Sequence, residues 1–278
     1  MIEFLLIAGL AWLVVASVFD IKKREIPNWL SFSLIAVALV YRLIVSVLNN
    51  DYMFFLNGLI GLGIFVGLGY GFYYARIFAG GDAKLLMGLG AILSFSGFWN
   101  NLFIMAGFLF LLLFSGAIYG LIFSFILAAK NKKKFTAEFK KQGKKYKSFF
   151  YISFVFAFLA LLLVLYINDF ILFAFPVLIL AFPLLFVYGK AIEEACMIKE
   201  IKAEKVTVGD WLYKKVKIGK NIIKPNWEGL SEKEVRLLRK YKKKVLIKTG
   251  IPFVPVFLIA YLALLILWYF GFLKIFQF

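Results

Sequence analysis

The sequence IEFLLIAGLAWLVVASVF, residues 2–19, is an almost uninterrupted apolar run, and Asp20 follows it directly. A run of this length can cross a hydrocarbon layer about 30 Å thick as an α-helix. It has neither a basic segment before it nor a small-residue cleavage pattern followed by soluble sequence, as a removed signal peptide would. We therefore expect residues 2–19 to form a retained transmembrane helix.

The composition extends this expectation to the rest of the chain. Of the 278 residues, 63% are hydrophobic and only 17% are charged, which is more apolar surface than a soluble core of this size can bury. Helices satisfy their own backbone hydrogen bonds in lipid, whereas a transmembrane barrel would show weak alternating segments. The sequence therefore predicts an all-α fold, a polytopic bundle of transmembrane helices with a small basic cytoplasmic segment.

The distribution of basic residues predicts how the bundle is oriented. The candidate crossings are the apolar runs at residues 2–19, 29–48, 54–78, 83–96, 102–129, 148–167, 170–188 and 251–272. If every run crosses, all strongly basic segments lie on one side, which is typical of the cytoplasmic side. A re-entrant fourth run would place the basic loop of residues 130–147 outside. We therefore expect about eight crossings of the cell membrane, the N-terminus outside, and Asp20 and Asp82 at the cytoplasmic face.

The chain divides into four predicted segments. These are a helical core with Asp20 and Asp82, a basic loop with two further transmembrane helices, a basic cytoplasmic segment and a C-terminal transmembrane helix, at residues 1–130, 131–188, 189–250 and 251–278. Within the third segment, Ser231 and Glu234 have the spacing of a capping box, which predicts a helix over residues 232–247.

Charge and residue usage exclude several kinds of chemistry. The net charge of +18 suits membrane lipid headgroups, and no basic segment has the aromatic spacing of a nucleic-acid module, so we expect no nucleic-acid partner. The chain has one cysteine and no histidine, which removes the commonest catalytic base and metal ligand. We expect no metal and no cofactor, and proton chemistry that depends on carboxylates, lysines or tyrosines.

Two aspartates are the strongest candidates for that chemistry, because acids at a membrane boundary are costly and tend to mark function. The acids near the predicted boundaries of the first four runs are Glu3, Asp20, Glu25, Asp51 and Asp82, and Glu3 and Asp51 fall on the outer side. Alone, Asp82 is explained as a helix N-cap and Asp20 as a solvated charge at a helix end. Together, two carboxylates that share a proton can act as general acid and general base around one water.

Helix position suggests which of the two acids is the base. Asp20 ends a predicted helix, where the helix dipole opposes negative charge, whereas Asp82 begins one, where the dipole favours it. The sequence-based hypothesis is therefore that Asp82 is the base in the resting site. Glu25 is a further acid on the same face and a possible local counter-charge.

The glycines have two predicted roles. Gly80 and Gly81, just before Asp82, leave room for an extended substrate backbone to approach. Lys84 lies about 200° around the helix from Asp82, where it either contacts substrate or anchors the helix at the interface. Farther upstream, a four-residue spacing predicts a small-residue face for close helix packing, at Gly63, Gly67 and Gly71.

These motifs resemble a known family. Asp20 with Ile26-Pro27-Asn28, and Gly80-Gly81-Asp82-Ala83-Lys84, are similar to the archaeal prepilin and preflagellin peptidases, relatives of the bacterial type IV prepilin peptidases within the GxGD membrane aspartyl proteases. The resemblance covers roughly the first 130 residues. It implies that Asp20 and Asp82 are the catalytic pair of an aspartic endopeptidase that removes the short basic leader of prepilin-like or preflagellin-like substrates. One departure is Ala79, where the family has glycine.

Two other functions remain open at this point. In a proton-coupled transporter, Asp20 and Asp82 would relay protons, and the glycine-rich third run would be a moving element. In a noncatalytic scaffold, the acids would serve only structure. The sequence does not decide between pilin and flagellin substrates, nor does it indicate the oligomeric state.

Overall fold

The computed structural model describes residues 2–95, 97–219, 221–241 and 244–271. Ser96 and Phe272, the predicted ends of two apolar runs, lie outside these residues. Lys242 and Lys243 of the predicted cytoplasmic helix also lie outside them. The helices of the described residues are α1 (Ile2–Lys23), α2 (Asn28–Asn49), α3 (Tyr52–Tyr74), α4 (Gly80–Ile92), α5 (Phe98–Lys130), α6 (Lys132–Lys145), α7 (Lys147–Ile167), α8 (Ala174–Cys196), α9 (Glu232–Tyr241) and α10 (Val254–Tyr269). Short 3-10 helices occupy Phe170–Phe173 and Ala203–Lys205.

The predicted helical membrane fold is confirmed, but eight crossings are not. Within the described ranges, six helices are long and apolar enough to cross a membrane: α1, α2, α3, α5, α7 and the continuous segment Phe170–Cys196 that contains α8. The other two predicted crossings are shorter, since α4 has 13 residues and α10 has 16. A 13-residue helix rises only about 20 Å, which is less than the hydrocarbon thickness.

The chain forms two compact units, residues 1–121 with 251–278, and residues 122–250. In the first unit, α3 and α4 cross at two glycines. A Cβ atom on Gly61 would overlap the backbone oxygen of Gly90 and the hydroxyl of Ser94, and one on Gly90 would overlap the backbone oxygen of Gly61. The absence of both side chains therefore sets the close contact between these helices.

The predicted packing face of α3 is wrong. Gly63, Gly67 and Gly71 are exposed, and a Cβ atom on any of them would meet nothing within 4 Å. The glycines that pack are Gly58, Gly61 and Gly69, which are buried. Spacings of three and eight residues also place Gly58, Gly61 and Gly69 on one helix face, so the regular four-residue spacing of the other set could not decide which face turns inward.

We expect Gly61→Ala to lower the free energy of unfolding by about 2 kcal/mol, because the new methyl group would separate α3 from α4. Gly67→Ala is the matched control in the same helix, and its effect should stay within about 0.5 kcal/mol. Reversible unfolding in mixed micelles measures both. Equal effects of the two substitutions would contradict the glycine crossing.

A buried arginine caps the C-terminal end of α4. Arg42, on α2, is fully buried, and its guanidinium donates to the backbone oxygens of Phe54 (2.8 Å), Ala91 (2.7 Å) and Ile92 (3.2 Å), as well as to that of Ser94. The last carbonyls of a helix have no partner within the helix. Arg42 satisfies them, which allows α4 to end inside the helical core.

The second unit contains structure that the sequence did not predict. The basic stretch treated above as a loop forms α6. Beyond α8, a three-stranded antiparallel sheet has the order β1-β5-β2, with β1 at Ile198–Lys202, β2 at Trp211–Leu212 and β5 at Lys244–Lys248. A separate antiparallel pair joins β3 (Val216–Ile218) to β4 (Asn221–Ile223).

The predicted helix over residues 232–247 is correct at its start and wrong at its end. The capping box forms, since the Ser231 amide donates to the Glu234 carboxylate at 2.9 Å and the Glu234 amide to the Ser231 hydroxyl at 3.4 Å. The last residues of the predicted helix instead belong to β5, where Val245 and Ile247 are buried. These two β-branched residues alternate with exposed or half-buried ones, as a half-buried strand requires.

Candidate active site

Asp20 lies in the last turn of α1 and is only 7% exposed. The helix ends just after it because Arg24 adopts a left-handed conformation (φ 57°) and donates its amide to the Asp20 carbonyl oxygen at 2.8 Å. The Asp20 side chain points away from this cap. Its Oδ2 atom accepts a hydrogen bond of 2.8 Å from the backbone amide of Val254, at the start of α10.

Asp82 lies at the third position of α4, and not at the N-cap that the sequence predicted. The N-cap is Ala79, in an extended conformation (φ −70°, ψ 161°), and the Asp82 carboxylate reaches back to the Ala79 amide. This is the backbone half of a capping box, which a carboxylate at that position can make. Asp82 is partly exposed.

The structure brings Asp20 and Asp82 together. The two carboxylates are close enough for their charges to interact. Each is attached to a helix end within the first compact unit, so the pairing depends on how α1 and α4 pack and not on a long flexible loop. Among the described residues, no cluster of three or more His, Cys, Asp or Glu side chains could hold a metal ion.

The two sequence motifs contact each other at a glycine. A Cβ atom on Gly81 would lie 3.2 Å from Cδ1 of Ile26, which is tighter than ordinary van der Waals contact. A Cβ atom on Gly80 would meet only Tyr73, at 3.7 Å. Gly81 is therefore the glycine that the packing requires, whereas at Gly80 the structure leaves room for a side chain.

Lys84 also connects the two motifs. Its Nζ atom donates to Oδ1 of Asn28 at 2.8 Å, which joins the first turn of α4 to the first residue of α2. The N-cap position of α2 is Pro27, and no side chain caps it. Glu25, the remaining predicted site residue, is exposed in the turn between α1 and α2.

The contact between Lys84 and Asn28 predicts a measurable coupling. We expect Lys84→Met and Asn28→Ala each to lower the free energy of unfolding, and the double variant to be about 1 kcal/mol less destabilised than the sum of the two. A double-mutant cycle in detergent measures this. Strictly additive effects would contradict a hydrogen bond that contributes to stability.

Two parts of the site were not indicated by the sequence. One is the start of α10: the Phe253 ring packs against Phe78 with ring centroids 5.6 Å apart, and its edge would lie 3.0 Å from a Cβ atom on Gly116 of α5. The other is Tyr119 of α5, close enough to interact electrostatically with Asp20. The sequence predicted an apolar run from residue 251, but nothing local in it showed what the start of that helix would contact.

Comparison with known proteins gives a family for part of the chain. Residues 7–129 match a sequence model described as the type IV leader peptidase family. The chain is similar to preflagellin peptidases of Methanocaldococcus jannaschii (34% identical over 93 residues), Methanococcus maripaludis (35% over 92) and Methanococcus voltae (33% over 85).

These alignments are partial on both sides. They cover 34%, 33% and 31% of this chain and 38%, 39% and 36% of the respective relatives. The chain thus spans less than two fifths of the length of the curated relatives it matches. The resemblance that the motifs predicted is confirmed for this part of the molecule: residues 7–129 are related to the type IV leader peptidase family.

Proposed function

We propose that this multi-pass membrane protein is an aspartic endopeptidase that removes the short basic leader of preflagellin-like or prepilin-like proteins. The observation that carries the proposal is that Asp20 and Asp82 are close enough for their charges to interact, both inside the region that matches the leader peptidase family. The relatives are named preflagellin peptidases, which supports preflagellin-like proteins as the first substrates to test. The same match does not favour the proton-coupled transporter considered above.

The proposed reaction is hydrolysis by the two carboxylates and one water. The ionised aspartate removes a proton from the water, which attacks the scissile carbonyl carbon, while the protonated aspartate donates its proton to the carbonyl oxygen. Collapse of the tetrahedral intermediate breaks the C–N bond: the leaving nitrogen takes a proton from the aspartate that deprotonated the water, and a hydroxyl group of the intermediate returns a proton to the other aspartate. Each turnover consumes one water and returns the pair to its starting protonation.

Charge and location support a leader peptide as the substrate. The two aspartates and Glu25 are acids close to the end of α1, in a chain of net charge +18, and they provide local counter-charges for a basic leader. The substrate's apolar segment would lie in the membrane beside the bundle. The general basicity of the chain is assigned to lipid headgroups and topology.

A cleavage assay with purified protein tests the proposed function. We expect protein reconstituted in liposomes to cut a preflagellin-like protein once, at the end of its basic leader, and to leave a matched substrate with a neutralised leader largely uncut. Folded protein that cuts neither preflagellin-like nor prepilin-like substrates would contradict the peptidase. Proton flux into the liposomes without any cleavage would favour the transporter instead.

The proposed orientation places the N-terminus outside and the active site at the cytoplasmic face. Lys133 and Asn168 are exposed on either side of α7, so they should be reached from opposite sides of the membrane. In a Cys196→Ala background, we expect a membrane-impermeant maleimide to label Asn168→Cys in intact cells, and Lys133→Cys only after permeabilisation. The reverse pattern would contradict the orientation.

A further inference from the structure

The start of α10 contacts the candidate catalytic pair from outside the region that matches the family. The Val254 amide donates to Oδ2 of Asp20 at 2.8 Å, and the Phe253 amide adds a second backbone interaction with the same carboxylate. Val254 is fully buried and Asp20 is 7% exposed. This helix, which begins 125 residues after the matched region ends at residue 129, therefore reaches the site through a solvent-protected contact.

The geometry is that of an anion at a helix N-terminus. The first amides of a helix have no acceptor within the helix, and they carry the positive end of the helix dipole. The N-cap of α10 is Phe253, whose side chain cannot accept a hydrogen bond. The carboxylate of Asp20, supplied by α1, takes the place of a capping side chain.

Packing holds this helix start in register with both aspartates. Phe78 lies four residues before Asp82, and its ring is 5.6 Å from that of Phe253 and 5.7 Å from that of Phe257. The first turn of α10 is thus hydrogen-bonded to Asp20 in the last turn of α1, and it packs against Phe78 just before α4. A shift of α10 would move both sides of the pair.

The groups around Asp20 act on its charge in different directions. Burial is the largest influence and opposes a negative charge on Asp20, which is only 7% exposed. The charges of Asp20 and Asp82 of α4 repel each other, and Tyr119 approaches from α5. Arg24, at the end of α1, and the amides of α10 favour negative charge. The sequence-based hypothesis considered only the C-terminal end of α1, and the structure adds the N-terminal end of α10 to the same carboxylate.

We propose that the first turn of α10 is a positioning element of the catalytic site: its amides orient Asp20 and favour its ionised form, so that Asp20 is the base and Asp82 carries the proton. This inference rests on the proposed peptidase function for its kinetic consequence only. The contact itself has a spectroscopic signature that does not require catalysis.

Replacing single amides by esters tests the proposal, because an ester removes one N–H group and keeps the side chain. The α-hydroxy analogue of valine at position 254 removes the donor to Asp20. The same analogue at Val256, also fully buried, removes a 3.0 Å hydrogen bond from Val256 to the Phe253 carbonyl oxygen in the same turn, and is the matched control.

We expect the ester at position 254 to lower kcat about 10-fold or more with KM within about 2-fold, since a hydrogen bond to a charged group is lost. The isotope-edited infrared carboxylate band of Asp20, identified by its absence in Asp20→Asn, should shift in the same variant. The ester at position 256 should leave kcat and KM within about 2-fold of their unmodified values and should not shift the Asp20 band.

Equal kinetic effects of the two esters, or an Asp20 carboxylate band unchanged by the ester at position 254, would overturn the positioning role. A band showing Asp20 protonated and Asp82 ionised at neutral pH would overturn the assignment of the base. If the wild-type protein cleaves no leader but the ester at position 254 still shifts the Asp20 band, the peptidase function would be rejected and the contact retained.

Discussion

Asparagine in place of Asp20 or Asp82 is expected to reduce kcat/KM for leader cleavage at least about 10³-fold, because each substitution removes one of the two groups that move protons in the proposed reaction. Asparagine keeps the shape of aspartate but can neither take a proton from water nor return one. A fluorescent or gel-based cleavage assay with saturating and limiting substrate measures the loss. The double variant should be no slower than the slower single variant, since the two acids act as one unit.

Asp51→Asn is the matched control for this result. Asp51 is also an acid at the start of a helix, where it caps α3 by accepting the Met53 amide at 3.1 Å, and asparagine can make the same cap. We expect its kcat/KM to stay within about 2-fold of wild type. Retention of more than a tenth of the activity by folded Asp20→Asn or Asp82→Asn would rule out the aspartyl mechanism.

Removing the buried arginine is expected to have the largest effect on stability. Arg42→Ala should lower the free energy of unfolding by about 4 kcal/mol, because four backbone oxygens lose a donor and each unsatisfied buried group costs about 1–3 kcal/mol before relaxation. Those oxygens include the last carbonyls of α4, whose other end carries Asp82. We therefore expect activity to fall together with stability. Unfolding in mixed micelles and the cleavage assay measure the two effects.

Leu43→Ala is the control for the Arg42→Ala substitution. It shows how much stability is lost when side-chain volume alone is removed from α2. Leu43 is 47% exposed, and its truncation should cost less than about 1 kcal/mol. Arg42→Lys should recover only part of the loss, since one ammonium cannot reproduce the forked donor geometry. If Arg42→Ala were no more destabilising than Leu43→Ala, the capping role of Arg42 would be excluded.

The pairing of the two aspartates could be predicted because it depends on topology. Alternating crossings and the placement of basic loops predict that the end of the first run and the start of the fourth lie on one face. The structure agrees, because the carboxylates of Asp20 and Asp82 are close enough for their charges to interact. The long apolar helices could also be predicted from the sequence, since their length and composition alone identify them. The short α4 was harder to interpret, because its length suggests a re-entrant segment and the loop charges suggest a crossing.

Other features were not predictable because they depend on distant partners. The sequence shows Arg42 as one charge in an apolar run, and only the packed structure reveals the α4 carbonyls that it satisfies. Similarly, the five residues of β5 are too few for an alternating pattern to outweigh the capping box before them, and the pairing of this strand with β1 and β2 decides their conformation. Tertiary context here overrides local propensity.

The bond between Asp20 and Val254 joins residues that are 234 positions apart in the chain. At roughly 5 to 20 residues per second, a ribosome needs on the order of 10 to 50 s to synthesise that interval. Throughout this time, α1 is already made while the amide that holds its aspartate does not yet exist. A nascent chain in which α10 has not yet been inserted is therefore expected to lack this contact, so the proposed peptidase activity would begin only after synthesis has passed residue 254.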